Sequence, residues 1–91
     1  MHEFSVIANL FKILEKIKNE RKSLTAFLSV NITVNPYSCI DEENLNFIFK
    51  SMAAGRKEYE VAKININRGK DPAGREFILD DVEVEEDGEE G

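Results

Sequence analysis

His2 is the only histidine in the chain, and it directly follows the amino-terminal Met1. That place gives it chemistry an internal histidine lacks. The terminal amine, the deprotonated amide nitrogen of residue two and the imidazole Nδ1 close two fused chelate rings on one metal ion. A planar, nitrogen-rich set of this kind suits Ni(II) or Cu(II) better than tetrahedral Zn(II). The amide of Glu3, or its carboxylate, supplies a further ligand. The bulk of His2 disfavours removal of the initiator methionine, so Met1 keeps its amine in place. Against this stands a plain fact: many chains carry a histidine near the start, and most of these do nothing. On spacing alone the inert reading outweighs the metal site, and Cu(II) would take such donors ahead of Ni(II).

The other reactive side chains offer less. Cys39 is the one cysteine, so no intrachain disulfide framework forms. Without a histidine beside it, a half-buried structural thiol is the expectation. Asp80, Asp81 and Glu83 interrupt the last apolar alternation. They could act as an acid pair, but alternate positions on a solvent-facing strand explain them adequately. There is no glycine-rich phosphate loop, no serine elbow and no CxxC pair. Nor is there a second histidine to serve as base or acid, so no enzyme is expected.

The elements that must hold these residues follow from periodicity. From about His2 to Arg21, Phe4, Val6, Ile7, Leu10, Phe11, Ile13, Leu14 and Ile17 recur at helical steps and make a wide apolar stripe. Leu24 to Val34 changes period, and Ala26, Leu28, Val30, Ile32 and Val34 predict a strand with one apolar face. Asn35-Pro36 ends it. Asp41 is a good N-cap for a helix over Glu42 to Ala54, with Leu45, Ile48, Phe49 and Met52 as its buried stripe and Gly55 as its stop. Strands follow over Glu58 to Asn67 and Arg75 to Glu85, split by the turn-rich loop Arg68 to Gly74.

The order α-β-α-β-β predicts an α+β fold, with two helices packed on one face of a three-stranded mixed sheet. The first two strands are expected parallel, through a helical crossover, and the last two as an antiparallel pair.

The chain has 91 residues, a net charge of −6 and 42% hydrophobic residues, the profile of one globular domain. The domain is read as residues 1–85, and residues 86–91 as an acidic, disordered tail. An acidic chain repels phosphate backbones, so no nucleic acid is expected. The basic cluster Lys16, Lys18, Arg21 and Lys22 reads as a solvated helix end. The start lacks the pattern of a signal peptide and no apolar run is long enough for a bilayer, so a cytoplasmic protein without a membrane role is expected. Exposed edge strands leave a homodimer open.

Taken in order, these segments resemble the HypA/HybF family of hydrogenase maturation nickel metallochaperones. The likeness begins with Met1-His2-Glu3 leading into a helix. It continues through Asp41-Glu42-Glu43-Asn44-Leu45-Asn46-Phe47-Ile48-Phe49 and Ala62-Lys63-Ile64-Asn65-Ile66. It closes on Gly74-Arg75-Glu76-Phe77-Ile78-Leu79 and Val82-Glu83-Val84. The resemblance implies Ni(II) at the amino terminus through Met1, His2 and Glu3. It also implies a HypB-like GTPase and a hydrogenase large subunit, or another nickel-enzyme precursor, as partners. The family's zinc lobe, with its two CxxC pairs, has no counterpart here. Its place holds only Arg68 to Gly74, so no structural zinc is expected. An alternative reading is an assembly adaptor that kept the fold and lost metal delivery along with the zinc lobe.

Overall fold

The computed structural model describes residues 3–87. Helix α1 (Glu3–Glu20) leads to strand β1 (Leu24–Thr33), helix α2 (Glu42–Met52), a short 3-10 turn over Lys57–Tyr59, and strands β2 (Lys63–Asn67) and β3 (Ile78–Glu86). The architecture is the expected α+β fold with order α-β-α-β-β.

Helix α1 contains no proline or glycine, and its stripe of Val6, Ile7, Leu10 and Leu14 is fully buried. Phe4 and Ile13 lie outside the stripe and are exposed. Asp41 caps α2 as its type predicts: its Oδ2 accepts the Asn44 N–H at 2.8 Å. Leu45 and Phe49 are buried, but Met52 is exposed, because Ala53 takes the buried place at the helix end. Gly55 has φ of +85°, the left-handed conformation that turns the chain away from the helix.

Four aromatic rings tie these elements together. Phe11 of α1 stacks on Phe49 of α2 with centroids 4.9 Å apart. Tyr59 stands edge-on to both, at 5.1 and 5.8 Å, and stacks on Phe27 of β1 at 5.3 Å. Each such pair adds about 0.5–1.5 kcal/mol beyond the area it buries. This cluster also explains one departure from the sequence reading. Residues 58–62 are not strand, because the 3-10 turn is what carries the Tyr59 ring into the core. Strand β2 therefore starts only at Lys63.

The sheet order is β2-β1-β3, with β1 parallel to β2 and antiparallel to β3. The expected pairing of the last two strands is thus wrong. Both lie beside β1, on opposite sides. The physical reason lies on the outer edge of β2, which side chains of α2 already occupy. The Ile64 N–H donates to Asn46 Oδ1 at 2.7 Å, and Asn46 Nδ2 donates to the Ile64 carbonyl at 2.9 Å. The Ile66 N–H donates to Glu42 Oε2 at 2.8 Å. A strand added there would displace all of these bonds, so β3 pairs with the free side of β1.

Register shifts mark the β1–β3 ladder, one of them between Phe27 and Ser29. The extra residue on β1 breaks the simple alternation. Phe27 points into the core at 0% exposure, and Leu28, expected inside, is 39% exposed. Beyond the bulge, Val30 and Ile32 return to the buried parity. Strand β3 begins at Ile78 rather than Arg75 and runs through Glu86, which the charge run had placed in the tail. Glu86 forms an ion pair with Arg21 at 2.7 Å, and the Asp87 N–H donates to the Ser23 carbonyl.

Candidate metal centre

Of the three residues read as metal ligands, Met1 and His2 lie outside the described residues. Glu3 is the first residue of α1 and is partly exposed. A helix that begins there leaves the Glu3 amide without an intrahelical acceptor, because the first-turn N–H groups have none. That amide is therefore free to serve a metal without breaking the helix. Glu3 also suits the positive end of the helix dipole.

Other contacts place this end of α1 within the fold. Glu3 Oε2 lies 3.4 Å from the Asp41 amide nitrogen, which donates to it. Farther along, Phe11 meets Phe49, and Glu15 meets the Arg56 and Tyr59 side chains beyond the end of α2. The two helices thus run side by side in the same direction, with both starts at one end of the molecule. The first described residue, Glu3, thus lies beside Asp41, at the point where the loop over residues 35–40 leads into α2. That loop is fixed by its own turn, in which Asn35 Oδ1 accepts the Tyr37 N–H at 2.8 Å. It is also held by Arg68, whose guanidinium donates to the carbonyls of Ser38 and Ile40.

Cys39 lies in this loop and is exposed, not half-buried as expected. Its neighbour Ile40 takes the buried position instead. Asp80, Asp81 and Glu83 are exposed, as a solvent-facing strand requires. They accept hydrogen bonds from Thr33, Asn31 and Ser29 of β1, so no two of them pair as an acid couple. Among the described residues, no three His, Cys, Asp or Glu side chains converge on a point where a metal could sit.

One charged cluster was not legible in the sequence. Glu15 receives the Tyr59 hydroxyl at 2.7 Å and pairs with Arg56 and Lys18, and Lys18 pairs with Glu58 at 2.7 Å. The Tyr59 hydroxyl, helped by Lys18 and Arg56, holds the Glu15 carboxyl below its usual range. The hydrogen bond from Lys18 does the same for Glu58, and that carboxylate raises the Lys18 ammonium in return. Burial and the Glu15 carboxylate push the Tyr59 phenol well above its ordinary value. The Arg56 guanidinium lies over the Tyr59 ring, 4.8 Å from its centroid. Only the Glu15–Lys18 spacing was visible beforehand. Arg56 and Tyr59 reach the cluster from a turn that the sequence had read as loop and strand. Every charge has a partner, so the cluster clamps α1 to the 3-10 turn and leaves no group free for chemistry.

A small α+β domain whose first described residue, Glu3, opens a helix is compatible with a metal ligand set at its start. The comparison with known families agrees. A family model described as "Hydrogenase/urease nickel incorporation, metallochaperone, hypA" matches residues 1–73, and the chain belongs to that family. Its members are metallochaperones, not enzymes. The match runs from the amino terminus through β2 and ends in the loop before β3, so the likeness noted over residues 74–84 lies outside it. No curated protein and no solved structure matches the chain.

Proposed function

We propose that this protein binds Ni(II) through the Met1 amine and the His2 amide and imidazole, with Glu3 as the further ligand. It then passes the ion to the precursor of a nickel enzyme such as a hydrogenase. The observation that carries this reading is the family match, which includes the first three residues. The start of α1 at Glu3 supports it. A deprotonated His2 amide, together with either the Glu3 amide or the Glu3 carboxylate, balances the two charges of the ion. The complex is then neutral, and the positive end of α1 does not oppose it. Protonation of the imidazole, or contact with the acceptor, releases the metal. The partners are a HypB-like GTPase and a hydrogenase large subunit, met in the cytoplasm.

In cells that make a nickel hydrogenase, loss of this protein should lower hydrogenase activity, and the wild-type chain should restore it. The His2→Ala chain should restore it only when the medium carries excess nickel. Full restoration by His2→Ala at trace nickel would contradict the proposal. One observation favours the adaptor reading as second choice: only Arg68 to Gly74 stands where the resemblance calls for a zinc lobe. Recovery of the same partners by wild-type and His2→Ala chains, with no metal bound to either, would support that reading instead.

A further inference from the structure

The sheet has two outer edges, and the chain treats them differently. On β2 the Ile64 N–H and carbonyl are already bonded to Asn46, and the Ile66 N–H to Glu42. On β3 no such cover exists among the described residues. The one side chain bonded to its backbone there is Thr25, which comes from β1 on the inner side. An uncovered strand edge is a row of free donors and acceptors ready for another strand. The irregularity between Asn31 and Ile32 places the extra residue, Asp80, on β3, whereas those between Leu24 and Ala26 and between Phe27 and Ser29 place it on β1, so β3 itself carries no extra residue over Asp81–Glu86.

The side chains of this stretch alternate in character. Asp81, Glu83 and Glu85 are exposed, while Val82 and Val84 are partly buried against the core. Asn31 and Ser29 donate to Asp81 and Glu83 and so fix where those carboxylates point. These donors are neutral and leave the charge uncompensated. None of the ion pairs among the described residues includes Asp81, Glu83 or Glu85. A second copy of this chain is a poor occupant. Two β3 edges would set carboxylate against carboxylate, and the β2 edge of a second copy is closed by Asn46 and Glu42.

We infer that the outer edge of β3, Asp81–Glu86, docks an extended basic segment of a partner protein as a fourth strand. Lys or Arg side chains at alternate positions lie beside Asp81, Glu83 and Glu85, and apolar residues between them lie beside Val82 and Val84. Backbone bonds hold the segment, and the alternation fixes its register. Strand β3 lies beyond the residues that match the family, so this surface is a property of the chain and not of the matched region.

The probe is a blocked peptide of alternating lysine and valine, titrated into the isotope-labelled full chain while backbone amide resonances are followed. Saturable shifts centred on residues 81–86 are expected, and they weaken as salt is added. N-methylation of every second peptide residue should abolish binding in one register and spare it in the other. Exchanging Asp81→Lys together with Glu83→Lys should weaken the basic peptide about tenfold and let an alternating glutamate–valine peptide bind. The inference is overturned by the absence of saturable shifts, which would mean that the carboxylates only keep copies apart. Shifts centred on the helices, or equal binding of both methylated peptides, would overturn it as well. The methylation series uses the wild-type chain, so it stands even if the double variant fails to fold.

Discussion

Tyr59 and Glu15 show how much one pair of side chains can hold together. The hydroxyl bonds a carboxylate on α1 while the ring fills the core between Phe11, Phe49 and Phe27. Tyr59→Phe keeps the ring and removes the bond, so equilibrium urea unfolding should show a loss of about 1 kcal/mol. The same cluster predicts a pH dependence. Glu15 and Glu58 have lowered carboxyl pKa values in the folded state. Their stabilisation is therefore present above the ordinary carboxylate range and is lost as the pH falls through it towards the lowered values. Glu15→Gln should flatten the acid limb of the stability profile, measured as urea midpoint against pH. An unchanged acid limb would show that other carboxylates govern it.

At the scale of elements, Asn46 does what a neighbouring strand would otherwise do for β2. Asn46→Ala leaves the Ile64 N–H and carbonyl unpaired at an exposed edge. Urea unfolding should report a loss of about 1–3 kcal/mol, and light scattering should report self-association through the bared edge. Unaltered scattering would mean that water satisfies the edge as well as Asn46 does. The helices and the cap at Asp41 were legible, because each depends on residues close in sequence. The pairing of β3 with β1 was not, because it turns on Asn46 and Glu42 reaching from a helix to a strand edge. Nor was the Leu28 bulge, which exists only in the register between two strands. Of the candidate site, the donor chemistry of Met1-His2-Glu3 is a proposal from the sequence, and Met1 and His2 lie outside the described residues. The closeness of Glu3 to the α2 cap could be known only from the fold.

At the scale of the whole molecule, the core and the proposed metal donors are carried by different residues. Phe49 lies at the centre of the aromatic cluster, and Phe49→Ala should cost about 3–5 kcal/mol in urea unfolding, enough to unfold much of a small domain. The proposed metal donors, by contrast, all come from the first three residues. A chelate that local forms on the unfolded chain nearly as well as on the folded one, and a ligand that binds both states shifts the equilibrium little. Saturating Ni(II) should therefore leave the melting temperature almost unchanged in scanning calorimetry, and the ion should stay bound in urea. A large upward shift would mean that ligands from elsewhere in the fold, such as the Asn35–Ile40 loop, complete the site.

The central claim is that this chain carries nickel at its amino terminus. Its most direct test is an absorbance titration of the untagged chain, begun at Met1, with Ni(II). The account predicts a d–d band of planar nickel that saturates at one ion per chain, and loss of that band both in His2→Ala and after acetylation of the terminal amine. Nickel affinity that is unchanged in His2→Ala would contradict it.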